Sequence, residues 1–418
     1  LAQLSSDSFA FGGALLRLDD ALDDLEARLE PVTTIERVGL ASLPGRVLAG
    51  DILAPINVPG FDNSAVDGYA VRYADLAPAA ETRLPVLGRI AAGALDVAPL
   101  VGGTASRIFT GAPMPAGADT VFMQEDVRIE NAEVVLPSGL MAGANRRLAG
   151  EDFGVGSVVV PAGTRLAPHH IAALAALGIG AASVRARLTV GVFSTGDEVV
   201  DCAAGPLRHG AQFDSNRPML MALLAARGME AVDLGILPDR GDAIAEALAR
   251  GAETCDALLT SGGVSTGDED HVKAAVEAAG RLDFWRLAIK PGRPVAMGTI
   301  LGRSFFGMPG NPAAVFVTFT RFVGPVLDRL AGGRANRPLP LPVIAGFSYG
   351  KKAERREYVR VRLAAGAEGA IAHRYPRDGA ALISSLVQSD GFVELEEDRL
   401  TVTPGERLAY LPFAALIG

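Results

Sequence analysis

Cysteine is almost missing from this chain: 418 residues contain two, Cys202 and Cys255, far apart and forming no CxxC pair. That excludes a disulfide framework or a zinc ribbon and points to a reducing compartment. Histidine is scarce too, with five residues and no ligand spacing among them. His169-His170 and His271 each open a predicted helix and read as caps rather than metal ligands. Ser-His-Asp chemistry has no visible support in the sequence. Long apolar runs are absent as well. The run 171–180, even extended to Val184, falls short of the ~18 residues a bilayer span requires. Residues 1–10 lack the basic stretch of a signal peptide, so a cytoplasmic chain without a membrane partner is expected. Positive charge is in deficit: 39 Lys and Arg face 48 Asp and Glu, a net charge of −9. This argues against a broad nucleic-acid or anionic-membrane surface and leaves room for a small basic pocket. There is no nucleic-acid motif and no repeat array.

What the chain does have is apolar mass, 49% of residues, together with 49 Gly and 26 Pro. At ~150 residues per domain, such a chain folds into about three domains with many tight loops. Leu15, Leu18, Leu22, Leu25 and Leu29 recur at three- and four-residue steps, predicting an amphipathic helix ended by Pro31. From 51 to 137 the sequence breaks into short apolar runs (85–90, 107–110, 120–124 and 133–136) separated by Gly and Pro, a β-rich module. A second helical stretch, 165–179, is expected to rejoin the first helix, which makes the β module an insertion. Between 188 and 333, strand candidates 189–194, 231–237, 257–261, 284–289 and 304–308 alternate with helices at 218–227, 242–252, 272–279 and 312–330. That alternation predicts a doubly wound, largely parallel α/β domain. Period-two runs at 358–363, 392–395 and 408–411 predict a final β module. The expected division is 1–50 with 143–187, 51–142, 188–335 and 336–418.

Three loops of the α/β domain share one design, each following an apolar strand and rich in Gly or small polar residues. They are Ser194-Thr195-Gly196-Asp197-Glu198, Ser261-Gly262-Gly263-Val264-Ser265 and Pro309-Gly310-Asn311-Pro312. Ligands of open α/β sheets bind beyond the carboxyl ends of the strands, where glycines admit backbone N–H groups to an anion. Beside these loops, Glu198, Asp268, Glu269 and Asp270 could hold a hard cation such as Mg²⁺, or simply act as solvated caps. Lys290 and Arg293, in a turn fixed by Pro and Gly, could face one anion or solvent. Residues 143–152 gather Arg146, Arg147, Glu151 and Asp152, which also reads as a surface ion-pair cluster.

Taken together, the ordered segments FDNSAVDGYA (61–70), FTGAPMPAGADTVFMQED (109–126), GANRRLAGED (143–152), STGDE (194–198), GGVSTGDEDHVK (262–273), IKPGRP (289–294) and MPGNP (308–312) resemble the molybdopterin molybdenumtransferase family. That family is MoeA-like and includes the E domain of gephyrin. The resemblance implies an elongated multidomain chain of α/β plus β modules, with a central molybdopterin-binding-like domain, an inserted β-rich domain and a C-terminal β-barrel-like domain. It implies insertion of molybdate into adenylated molybdopterin, with Mg²⁺-dependent release of AMP. It also implies a homodimer, supplied by an adenylyltransferase, in which the insert faces the partner's α/β domain. By motif, Glu198 and Asp270 carry over as candidates for metal or phosphate chemistry. Asp67 and Thr110 on the insert, Asp152 and Asp239 join them as catalytic candidates. The remaining segments imply substrate contacts by Arg147, Ser194, Gly196, Ser261, Gly262, Gly263, Ser265, Lys273, Arg286, Lys290, Arg293, Pro309, Gly310, Asn311, Pro312 and Arg360.

The chain departs from the family at several positions. Ala314 and Ala380 stand where relatives often carry Ser, removing two hydroxyls from the presumed oxyanion site; Ser384 or Ser385 is the candidate replacement. Arg240 stands where a second acid often follows Asp239, and Arg293 replaces a common Lys. Three alternatives remain open: an adenylyltransferase-like enzyme, a tungstate-using paralogue and a non-catalytic scaffold of the gephyrin E-domain type.

Overall fold

A computed structural model of the chain describes residues 15–263, 271–292, 294–335 and 337–417. Its centre is a six-stranded sheet in the order Glu230–Leu237, Thr189–Thr195, Ala257–Ser261, Arg303–Met308, Pro294–Ile300 and Gly280–Arg286. The first four strands run parallel, and the last two join by antiparallel pairing, so that Pro294–Ile300 alone runs against the others. Burial explains the sequence signature. Every residue of Ala257–Ser261 and all but the first of Thr189–Thr195 are buried, as expected for central strands covered on both faces. The strand Pro294–Ile300 has no counterpart among the sequence candidates. Its opening Pro and internal Gly298 interrupt the apolar text, and the hairpin to Arg303–Met308 supplies its pairing instead.

The helices Asn216–Ala226, Gly241–Thr254 and His271–Ala279 cover the sheet. A fourth begins at Pro312, where a missing N–H costs nothing, and runs through a wide turn at Phe319–Val323 to Leu330, almost wholly buried.

The N-terminal helix spans Leu18–Arg28 and buries Leu18, Ala21, Leu22 and Leu25. It does not rejoin the second helix, Pro168–Ala176. Its leucine seam enters the large core of the α/β unit with Val326 and Leu330, whereas Leu174 packs in a separate core with Leu43, Leu166 and Val184. A continuous leucine stripe buries most area against the largest apolar face available, and that face is the α/β unit. The two chain segments that flank the insertion meet through strands instead: Ile35–Gly39 pairs with Ala181–Arg185, and Ile52–Leu53 with Val158–Val160. Between them the insertion carries its own six-stranded sheet, ordered Thr120–Met123, Gly68–Val71, Ala105–Ile108, Thr82–Ile90, Glu133–Leu136 and Arg128–Glu130.

After Leu330, five strands close on themselves: Arg356–Gly366, Gly369–Arg374, Leu341–Ala345, Arg407–Pro412 and Gly391–Leu395, which returns to Arg356–Gly366. Closure leaves no free sheet edge in this C-terminal barrel. The barrel is fastened to the α/β unit by an aromatic cluster of Phe316, Tyr358, Phe392 and Phe413, with ring centroids 4.9 to 6.0 Å apart. Arg356 adds a tie to the first helix through Asp19, at 2.7 Å. A short strand, Ile289–Lys290, also leaves the α/β unit to run parallel to Arg356-Glu357 of the barrel. Among the described residues, no helix is long and apolar enough to cross a membrane.

Candidate functional site

The parallel register sets the glycine loops side by side. Ser194 lies beside Ser261, and Ser261 beside Met308, so three strands end together where their loops begin. Gly263 takes φ +64°, and a Cβ there would lie 2.7 Å from Thr195 Oγ1, so only glycine fits this turn. The backbone N–H of Gly262 donates to Met308 O at 3.0 Å, fastening its loop to the Pro309-Gly310-Asn311-Pro312 turn. Asn216, which the sequence reading did not single out, donates from Nδ2 to Gly310 O at 2.7 Å. Its Oδ1 and the Ser194 Oγ are buried with no protein partner. Leaving such groups unsatisfied costs ~1–3 kcal/mol each, so a ligand or water must serve them. The signal for Asn216 was present in Asp214-Ser215-Asn216, a run of cap-forming residues that opens the helix Asn216–Ala226.

Glu198 is exposed and folds back over its own loop, where a Cβ on Gly196 would meet its Oε2 at 2.7 Å. Asp239 sits on the neighbouring strand end, its N–H 3.5 Å from Asp197 Oδ1. Arg240 pairs with exposed Asp242 rather than with this edge. Lys273 lies half-buried in the first turn of His271–Ala279. Ser265, Asp268, Glu269, Asp270 and Arg293 lie outside the described residues, as does the side chain of Arg286. Among the described residues no three His, Cys, Asp or Glu side chains converge as a metal cage.

A cavity of about 380 Å³ opens where the α/β unit meets the barrel. Lys290, Gly292, Pro309, Asn311 and Ala314 form one wall, and Tyr349, Glu357, Arg360, Arg374, Asp378 and Ala380 form the other. The bridge between Ile289–Lys290 and the barrel brings Lys290 opposite Glu357. Glu357 is 1% exposed and accepts from Lys290 Nζ at 3.0 Å, Tyr349 Oη at 2.7 Å and Arg355 Nε at 2.9 Å. Burial alone would lower the Lys290 ammonium, but its hydrogen bond to Glu357 and the neighbouring oxygens hold it above its usual range.

Arg360 is buried, its Nε has no hydrogen-bond partner, and among the described residues no carboxylate lies within ion-pair distance. Burial pushes this guanidinium below its ordinary value, against the through-space pull of Asp378. The two walls are locked together by Ala313 N–H donating to Ala380 O at 2.9 Å. Neither Ser384 nor Ser385 replaces the missing hydroxyls. Ser384 Oγ meets Tyr375 Oη at 2.9 Å, Ser385 Oγ donates to Leu382 O, and neither lines the cavity.

The insertion holds the remaining candidates. Asp67 Oδ1 accepts from both the backbone N–H and the hydroxyl of Thr110, each at 2.8 Å. Those two bonds keep the carboxyl well below the usual carboxylate range. Arg147 lies in a short strand opposite Asn63, and Asp152 donates its N–H to Val58 O at 3.0 Å; both side chains are exposed. Their neighbour Arg146 pairs with Asp62. Among the described residues, no hydrogen bond or ion pair joins Asp67 or Thr110 to the cavity or the glycine loops.

Comparisons with known proteins agree along the whole chain. Residues 16–178 match the MoeA N-terminal region (domain I and II), 191–329 a probable molybdopterin binding domain, and 342–413 the MoeA C-terminal region (domain IV). The chain is 38% identical to the molybdopterin molybdenumtransferase of Haemophilus influenzae over 97% of its own length and 100% of that protein. It is 36% identical to the Bacillus subtilis molybdopterin molybdenumtransferase over 70% of each chain. The crystal structure of the molybdopterin biosynthesis MoeA protein from Pyrococcus horikoshii superposes with a TM-score of 0.79 at 30% identity, covering 95% of this chain and 99% of that one. With its glycine loops, barrel and insertion in family order, this chain belongs to the MoeA family of molybdopterin molybdenumtransferases.

Proposed function

We propose that this chain is a molybdopterin molybdenumtransferase of molybdenum cofactor biosynthesis, acting in the cytoplasm on adenylated molybdopterin and molybdate. The observation that carries the reading is the buried Arg360 guanidinium in a cavity shared by two domains, with no carboxylate within ion-pair distance among the described residues. With Lys290 and Arg293 it would draw the oxyanion in. The orphaned Ser194 and Asn216 groups, the Gly262-Gly263 loop and the Pro312 helix start would hold pterin and phosphate.

A hard cation such as Mg²⁺ usually takes one or two carboxylates plus substrate phosphates rather than an all-protein cage. Glu198 at the mouth of a glycine loop fits that mode, with Asp270 as its partner. When bound, the cation would neutralise the phosphoanhydride as it breaks. Asp67 and Thr110 are bonded to each other and far from complete, which favours a homodimer in which a second copy's loops face them. An adenylyltransferase would deliver the substrate.

An adenylyltransferase-like role is disfavoured, because the insertion and barrel are retained at full length. A scaffold role is disfavoured by the buried Arg360, which forms no ion pair among the described residues. The test is incubation with adenylated molybdopterin, Mg²⁺ and molybdate, following AMP and pterin-bound molybdenum together. Both should appear only with molybdate present. Glu198→Gln or Asp270→Asn should slow AMP release about 10- to 100-fold without unfolding the protein; normal turnover in both variants would remove the metal assignment.

A further inference from the structure

The charges around the cavity do not cancel. Among its described lining residues, three cations (Lys290, Arg360 and Arg374) face two carboxylates, Glu357 and Asp378. The carboxylates differ in kind. Glu357 is buried and saturated by three donors from three residues, so displacing it would strand a buried charge. Asp378 sits on an exposed turn with its side chain 71% accessible, and its carboxylate accepts from Arg374. That guanidinium is aimed into the cavity: it stacks 4.8 Å from the centre of the Tyr349 ring, with Lys290 6.0 Å from the same centre. Lys290 and Arg360 also act on Asp378 through space. An anion entering the cavity therefore meets a negative charge already resting on one of the cations it needs.

We propose that Asp378 is a displaceable counter-ion that filters anions by valence. An entering dianion takes Arg374 over from Asp378, and the carboxylate swings out to solvent. The exchange replaces one negative charge on the cation cluster by two, so a dianionic oxyanion gains a Coulombic attraction there that offsets its loss of hydration. A monoanion such as nitrate or perchlorate merely replaces one charge with another, gives up its hydration and gains nothing. Glu357 does not take part, because its three donors hold it in place. The proposal rests on reading this cavity as the oxyanion site. It adds a specificity-determining residue that touches the competing cation rather than the reacting atoms.

The test is calorimetric titration of the full-length protein with molybdate and, separately, with perchlorate. Wild type, Asp378→Asn, Asp378→Glu and Arg360→Met are compared at fixed ionic strength. Asp378→Asn should bind molybdate on the order of tenfold tighter and should begin to bind perchlorate measurably, as removal of one nearby like charge requires. Asp378→Glu keeps the charge and should behave as wild type, which separates the effect from any change in the turn. Unchanged or weaker molybdate binding in Asp378→Asn, with binding lost in Arg360→Met, overturns the filter and leaves the cavity as the oxyanion site. If neither wild type nor Asp378→Asn binds molybdate while the protein still turns over, the cavity reading and the filter fall together.

Discussion

Asp67 on the insertion and Glu357 in the barrel are both carboxylates that accept from a hydroxyl, yet their settings differ. Asp67 is held by one residue, Thr110, at a solvent-accessible edge. Glu357 is 1% exposed and draws its three donors from the α/β unit and the barrel together. The cavity around Glu357 is thus finished within one chain. The edge around Asp67 holds its carboxylate in place, but among the described residues no hydrogen bond or ion pair joins it to the cavity or the glycine loops. Preorganisation within a chain suits a small compact ion. A large substrate carrying pterin and nucleotide at its two ends suits a cleft closed by a second surface.

The largest effect should come from the finished side. Arg360→Met removes the buried charge but keeps an apolar stem of similar length. Charge-assisted bonds to an oxyanion contribute ~1.5–3 kcal/mol each, so kcat/KM for molybdate should fall about 100-fold. Because the native guanidinium Nε has no protein partner, thermal stability should stay level or rise. A variant that melts well below wild type would show that Arg360 holds the barrel together rather than waiting for an anion.

Asp67→Asn attacks the unfinished side and should cost about tenfold, since the fixed carboxylate is lost while Thr110 remains. The sharper form of this experiment mixes the two impaired proteins and reads activity above their separate residual levels. If Asp67 of one copy serves the cavity of another, co-refolded Asp67→Asn and Arg360→Met chains form mixed dimers with one intact site. About a quarter of wild-type activity should return under random exchange. No recovery, with dimers demonstrated by sedimentation, would mean that each chain works alone and that Asp67 does not serve a second copy's cavity.

The contrast between the regions also marks what the sequence could convey. The strands of the α/β unit were legible because central parallel strands are apolar along their whole length, as Ala257–Ser261 is. The glycine loops were legible because steric demand at Gly263 leaves a residue-type signature. Pro294–Ile300 was hidden by its Pro and Gly, and the destination of the Leu18–Arg28 helix was hidden because a seam tells that a face is buried but not against what. Glu357 escaped notice for a related reason. The first six residues of Arg356–Gly366 are all buried although three are charged, so no alternation marked it out. Its role exists only through the parallel bridge to Lys290, a contact across 67 residues.

The smallest effect concerns the two alanines, and it tests whether the cavity already satisfies an oxyanion within one chain. Ala314 is 3% exposed in the first turn of the helix from Pro312, and Ala380 accepts through its carbonyl from that helix; both line the cavity. Neither nearby serine substitutes for them, since Ser384 is engaged by Tyr375 and Ser385 by Leu382. If Arg360, Lys290 and the backbone already satisfy the oxyanion, adding hydroxyls gives little. If they leave an oxygen bare, each hydroxyl adds ~1 kcal/mol. Ala314→Ser and Ala380→Ser should therefore each lower the molybdate KM about fivefold or less, and the double variant should act additively unless both donate to one oxygen. A rise in KM in either variant would mean that the cavity is shaped around its alanines, so that the charge cluster alone sets the oxyanion's position.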